Sequence, residues 1–484
     1  MKLESDNLFL QSSFAWAMQK AKTFVVTGTH QGDINRGDGP RWFGPDHKIL
    51  SSPTEPWAMP QDYKPAFWAG YHDRTAYYIR DFVHQASGAC LLGLNEEIYN
   101  MFYTFVSHAS EKTGWFAPWA FNFDNSIYYM DTPNEKEFVR EITAQFELVE
   151  KAYSFYCYTG DERYIRNEVI FRFVEKILTD FITGLDGTVF AQKNGIPEGR
   201  GNIWQGSATY NERGFHAVEA GDSIAAQYRA ILAYAKILEA RGEPEKASMQ
   251  LERGARLKRY FNEEWSVVDG TDSYAYAIDA DGIKHYKWEK HGNVLYGGES
   301  LFFLPLKGIT ERGPRNDRLL DSIFAAEADE QTRSDNIEGL TYLPEVFFPY
   351  HQNERAWFWM KHILSQKDVP HERNAQGTNS DYPEVSFTFL AHVVEGLMGV
   401  QVHAARGEIT TCPQFPEEIT DIHLSDLAFG NYTVDLTLTR NRAAVKNKSS
   451  QSILWNCRFE HGQDSRLYAS EILQPGEERS YRRP

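Results

Sequence analysis

Apolar positions recur at helical spacing over most of the chain and switch to strict alternation near its end. Segments near 5–24, 75–93, 96–111, 135–158, 162–184, 219–240, 245–264, 316–328, 352–366 and 385–399 carry apolar residues every three or four positions, which predicts amphipathic helices. Some junctions between them are tight. "CYTGDERYI" stops one helix at Gly160 and starts the next behind Asp161, and "EARGEPEKA" stops at Gly242 and restarts with Pro244 in the first turn. "LLGLNEEIY" does the same with Gly93 and Asn95. The remaining junctions, 26–74, 112–134, 185–218, 265–298 and 367–384, are long, polar and aromatic. Short and long connections in alternation mean antiparallel helix pairs whose long loops gather on one face. The pattern predicts a mainly α chain, an (α/α)6 toroid with its site on the long-loop face.

After residue 404 the period changes. "NYTVDLTLTR" alternates Tyr432, Val434, Leu436 and Leu438 with Thr433, Asp435, Thr437 and Thr439, as a half-buried strand does. "QSILWNCRFEHG" and "SRLYASEIL" continue in that style. The expected organisation is a barrel over 1–404 and a small antiparallel, sandwich-like β domain over 405–484. No Ser/Gly linker separates them, so the two should pack together.

A chain of 484 residues exceeds what one compact core organises, which fits this division. The net charge of −17 would be repelled by phosphate backbones and anionic bilayers, so neither nucleic acid nor membrane is an expected partner. No run of 18 apolar residues occurs, and the first twenty residues carry no signal-type apolar core. Cys90, Cys157, Cys412 and Cys457 lie far apart with no metal-type spacing. These features lead us to expect a cytoplasmic protein with reduced thiols and no metal or other cofactor. Aromatic residues reach 14%, many of them in loops: "AFWAGY" holds Trp68 and Tyr71, and "TGWFAPWAF" holds Trp115, Phe116 and Trp119. Such rings either line a concave ligand site, where their faces suit sugar C–H groups, or plug the core.

Three polar constellations carry candidate chemistry. In "AYYIRDFVHQASGACLLG" a helix places Tyr77, Arg80, Asp81, His84 and Gly88 opposite an apolar face, with Asp73 and Arg74 just upstream. Arg80 and Asp81 suit charge-assisted grip on hydroxyls, or a network that locks loops. The loop from Leu185 to Val218 and the helix after it bring Glu198, Glu212, Glu219 and Asp222 together with Trp204, Tyr210 and Phe215. A carboxyl desolvated by such rings is raised in pKa and can act as a general acid, whereas plain helix capping accounts for Glu219 or Asp222 singly. In "PHERNAQGTNSDYPEVSFTFLAHVVEGLMGV", Glu384 follows Pro383 and reads as a helix cap. Glu372, between His371 and Arg373, has no such role and is the better candidate base.

These segments resemble the six-hairpin glycosidases, (α/α)6 barrels followed by a β domain. "HERNAQGTNSDYPEVSFTFLAHVVEGLMGV" looks like the α-L-rhamnosidase-type segment in which a Glu-Arg pair precedes a helix, and the resemblance implies Glu372 as general base. "HDRTAYYIRDFVHQ" resembles the motif that holds the sugar at the cleavage subsite, which implies Asp73, Arg80 and Asp81. "TTCPQFPEEITDIHLSDLAFGNYTVDL" resembles the Pro-x-x-Pro lead into the family's β domain. "VEAGDS" is similar to the Glu-x-Gly-x-Asp motif of trehalase-like and glucosidase-like relatives, which implies Asp222 as acid, with Glu219 and Glu198 as alternatives. The implied activity is an exo-acting, inverting glycoside hydrolase on an oligosaccharide or glycoside, using one carboxylic acid and one carboxylate base. A phosphorylase is the nearest alternative. A sugar epimerase using His84, His216 or His371, or a non-hydrolytic carbohydrate-binding protein, belongs to a different class.

Overall fold

In the computed structural model, residues 1–26, 63–71, 76–128, 131–211, 216–291, 294–296, 298–334, 336–373, 376–462 and 464–483 are described. Helices that bury one stripe alternate along the chain with helices that bury most of their residues. The first kind are α1 (Leu8–Thr23), α3 (Asn95–His108), α5 (Glu168–Lys176), α7 (Pro244–Tyr260), α9 (Pro314–Ala328) and α11 (Asn353–Ser365). The second kind are α2 (Ile79–Leu91), α4 (Ile142–Thr159), α6 (Gly221–Ala240), α8 (Gly298–Leu306), α10 (Leu343–Phe347) and α12 (Pro383–Ala391). In α7 only Ala247, Gly254 and Leu257 are buried, whereas all nine residues of α12 are. The even-numbered helices form the inner ring: α2 packs on α4, α4 on α6, α6 on α8, α8 on α10, and α12 closes the ring against α2. The odd-numbered helices lie outside. This is the (α/α)6 toroid that the loop alternation predicts.

Two inner elements escape the periodicity. The run "ESLFFLPL" of α8 has no polar face, and α10 is a short helix behind the single turn Ile337–Thr341. A helix buried on every side has no amphipathic signature to read.

Closure of the ring depends on close backbone approach. A Cβ placed on Gly88 would lie 2.1 Å from the Phe387 carbonyl oxygen, so α2 and α12 touch at main-chain distance. Gly221 has the same role where α6 meets α8, with the Ser300 carbonyl 2.6 Å from a would-be Cβ.

The β module takes in strands that lie before residue 405. Strand β1 (Lys2–Ser5) joins β4 (Asp421–Phe429), β5 (Tyr432–Thr439), β6 (Arg442–Asn447) and β9 (Glu478–Arg482) in a sheet ordered β1-β4-β5-β6-β9. A second sheet, β2-β3-β7-β8, contains Gln401–His403, Glu408–Thr411, Ile453–His461 and Asp464–Leu473. The module thus starts at Gln401 and borrows the first residues of the chain. It is also not wholly antiparallel. After β3 the chain leaves to build β4–β6 and returns as β7, and a crossover of that length lets β3 and β7 pair in parallel. The turn between β4 and β5 docks on the barrel, where Gly430 donates its N–H to the Tyr158 carbonyl at 2.8 Å. No helix among the described residues is long and apolar enough to cross a membrane.

Gly88→Ala should destabilise the protein by roughly 2 kcal/mol or more, because the added methyl meets fixed backbone. Gly184→Ala, at a helical glycine with open space around it, should stabilise by about 0.5–1 kcal/mol. Thermal unfolding of the two variants checks the pair of opposite signs, and equal small shifts would contradict the close-approach account.

Candidate functional site

The inner helices all begin at the end of the barrel that carries the long loops, and each brings a polar side chain to that end. Arg80 and Asp81 open α2, Glu141 precedes α4, Asp222 sits in the first turn of α6, Ser300 in that of α8, Glu338 lies before α10, and Glu384 opens α12. Unsatisfied N–H groups at helix starts favour negative charge, which helps explain why so many are carboxylates.

Hydrogen bonds join these helix starts. Arg80 lies 3.3 Å from Glu141, whose other oxygen accepts from the Trp119 indole at 2.7 Å. The Arg80 guanidinium also stacks on Tyr210 at 4.4 Å. Asp222 accepts from the Tyr210 backbone N–H (2.7 Å), Thr143 (3.2 Å) and Ser300 (3.2 Å), tying α4, α6 and α8. Glu384 accepts from Thr341 at 3.2 Å, and the Tyr382 hydroxyl donates to Asp81.

One turn deeper, His84 lies between two carboxylates. Its Nδ1 is 3.2 Å from Glu384 and its Nε2 3.2 Å from Glu345, and its ring stacks on Tyr342 with centroids 3.7 Å apart. Burial disfavours the imidazolium, but the Glu384 and Glu345 charges prevail and raise its pKa to about 9. Glu345, although desolvation pushes the other way, is held well below the usual carboxylate range by His84 and His392. Glu345 lies deep in the barrel yet keeps 31% of its side-chain surface open, so it borders an internal chamber rather than solid core.

Asp81 and Glu338 are likewise deep but partly open. Desolvation, reinforced by the Glu384 charge and opposed by the Tyr382 hydroxyl and Arg80, raises Asp81 to about 7. Desolvation, reinforced by the Asp81 charge, raises Glu338 to about 7 as well, although Tyr71 and Asn336 oppose it. Two carboxyls poised near neutrality on one chamber can divide the roles of proton donor and acceptor. Tyr71, Tyr382 and His371 pack on one another at the loop side, with ring centroids 5.6–6.0 Å apart, and Arg373 stacks on Tyr71 at 3.7 Å. Below, Lys307 is 2.7 Å from Glu147 and 2.8 Å from Glu150, and Tyr210 donates to Glu147 at 2.6 Å. This buried network ties α4 to the end of α8 and to the loop before α6.

Several sequence candidates have other surroundings. Glu372 is exposed, and its neighbours His371 and Arg373 turn inward in its place. Glu198 accepts the backbone N–H groups of Gly187, Val189 and Phe190, which spends its oxygens on shaping a turn. Glu219 accepts from Trp265 (2.6 Å) and Asn194 (2.8 Å) and pins its loop. Asp222 is raised to about 6 by desolvation but is fully enclosed by its donors. Trp68 packs edge-on against Phe123. Trp204 is half-buried in the loop before α6, and His216 is exposed. Arg80 pairs with Glu141 and not with Asp81. Asp73 falls outside the described residues. Arg80, Asp81, His84 and Trp119 do come together. Glu384, read as a helix cap, points inward instead. Glu141, Glu338 and Glu345 were not singled out in the sequence. The signal for the last two was acids embedded in the apolar stretch "IEGLTYLPEVFF". Among the described residues, no group of His, Cys, Asp and Glu could hold a metal ion.

No protein-family model matches the sequence, and no curated protein matches it. Solved structures do match. A GH78 family rhamnosidase of Bacillus sp. GL1 superposes with a TM-score of 0.63 at 10% identity, over 95% of this chain and 43% of that one. An α-L-rhamnosidase from Dictyoglumus thermophilum gives 0.54 at 12% identity, over 99% and 50%. A putative kojibiose phosphorylase from human microbiome gives 0.51 at 10% identity, over 100% and 60%. The fold is that of the six-hairpin glycosidases, and the chain spans about half the length of these solved proteins.

Glu338→Gln removes a carboxylate that is costly to bury. Since the folded pKa is raised, to about 7 from 4.5, the stability penalty is absent below pH 4.5, grows through that interval and levels off above about 7. The variant should therefore melt higher than the parent at pH 8 and level with it at pH 4. A gain of the same size at both pH values would refute the buried-charge account.

Proposed function

We propose that the chamber cleaves a glycosidic bond, with Asp81 and Glu338 as the acid/base pair. The observation that carries this reading is the pair itself: two carboxyls raised to about 7, deep in the barrel yet open to one chamber. Near neutral pH the pair holds one proton. The protonated member gives it to the leaving oxygen, and the ionised member takes a proton from the attacking water. Arg80, fixed by Glu141 and Tyr210, and the partly open ring of Tyr71 supply what a sugar needs: a charge-assisted donor for hydroxyls and an apolar wall for C–H faces. The exo action we assign places a terminal sugar in the chamber. Hydrolysis with inversion is the mechanism we assign. The rhamnosidases and the phosphorylase that share the fold support a carbohydrate substrate.

Asp81→Asn and Glu338→Gln should each lower kcat/KM on an oligosaccharide substrate by about a hundred- to ten-thousandfold, without loss of folding. The acid variant should regain its rate on a glycosyl fluoride, whose leaving group needs no proton. The base variant should be rescued by azide, yielding a glycosyl azide of inverted configuration. Retained configuration would replace inversion by a double displacement, and strict dependence on phosphate would reassign the reaction as phosphorolysis. Near-parental rates in both variants would remove the pair from the chemistry.

A further inference from the structure

A second cavity, of about 850 Å³, lies between the loop joining α7 to α8 and the outer helix α9. Its walls are Thr271–Tyr274 and Tyr286–Trp288 on the loop, Leu301 of α8, and Arg315, Arg318, Leu319, Asp321 and Ser322 of α9. It shares none of the chamber residues named above. From its composition we infer a non-catalytic binding site for a neutral oligosaccharide, and this inference rests on the carbohydrate reading of the chamber.

The charged side chains around the cavity are each already engaged, although their signs do not sum to zero. Arg315 gives its donors to the carbonyls of Asn262 (3.0 Å), Ser266 (2.8 Å) and Ser273 (3.0 Å) and stacks on Tyr274 at 3.7 Å. Arg318 pairs with Asp272 at 2.8 Å, and Asp321 with Arg355 at 2.6 Å. Lys287 lies over Tyr286. A multiply charged ligand would have to break these pairs, whereas a hydroxyl can bridge an existing ion pair and gain from both partners. Trp288 is half-buried, packed on Phe302 with ring centroids 6.1 Å apart, which leaves part of its ring open to a sugar. The back wall is rigid. Phe261 stacks on Trp265 and Tyr274 with ring centroids 5.5 and 6.0 Å apart, and Arg315 fastens four backbone carbonyls, that of Asp272 included, so the site is formed before any ligand arrives. The volume lies in the range of small-molecule sites.

The test uses the full chain carrying Glu338→Gln, with maltotetraose, cellotetraose and xylotetraose as probes in calorimetric titration and saturation-transfer NMR. Binding of at least one probe should weaken by about tenfold or more on adding Trp288→Ala. Ser322→Trp, which plugs the cavity from the exposed face of α9, should do the same. That second variant guards against a folding defect at Trp288. Affinity untouched by both substitutions, or no binding by any probe, overturns the site. The two readings fail separately. Turnover by the parental enzyme without Trp288-dependent binding removes only this site. Trp288-dependent binding without turnover of any glycoside leaves this site standing and removes the glycosidase.

Discussion

The charge on His84 is the interaction on which the rest of the barrel end depends. Asp81, Glu338, Glu345 and Glu384 are brought within a few helix turns by the closure of the ring, and four carboxylates in so small a volume would expel one another's charges. The imidazolium between Glu384 and Glu345 offsets two of them. What remains is a graded set: Glu345 firmly ionised, Glu384 ionised less readily, and Asp81 and Glu338 left near their midpoints. The acid/base role proposed for the last two rests on this grading.

The same arithmetic explains why the walls around these groups are aromatic or hydrogen-bonded. Tyr342 covers one face of His84 and excludes water from it, which strengthens the pull of the two carboxylates. Arg80, which would be the natural partner of Asp81, is held at Glu141 and Tyr210. Had it turned to Asp81, that carboxyl would be a spectator of fixed charge. The placement of one guanidinium therefore separates an ordinary ion pair from a group able to exchange a proton.

Legibility in the sequence followed burial. The outer helices and the face that carries the long loops could be read because one-sided burial leaves a period of 3.6. Arg80, Asp81 and His84 stood out because a polar stripe on a helix that is otherwise apolar is hard to explain by solvation. Glu338 and Glu345 did not, because the elements that carry them are short, buried throughout and interrupted by Pro344, so no period frames them. Glu384 was hidden by its position. An acid after Pro383 looks like a cap, and only the register of α12 against α2 turns it inward. Glu372 was favoured for the opposite reason: nothing local explained it, and the structure leaves it exposed on its loop. The β module was legible as alternation, while the recruitment of Lys2–Ser5 was not, since four residues carry too little pattern to reveal a partner so far along the chain.

That recruitment has a consequence for how the molecule is made. The Ser5 hydroxyl bonds the Asp421 carbonyl across 416 positions of sequence. A strand that leaves the ribosome ahead of the barrel must wait for most of the barrel to be synthesised before its partner exists. Until then it is an unpaired edge, the kind of segment that other chains can capture. Its small size limits that exposure, and its late pairing acts as a latch. The sheet is completed only after the barrel helices between the two strands have emerged, so an incomplete chain cannot present a finished β module. Assembly is thereby ordered in time by a contact that contributes little area to the folded state.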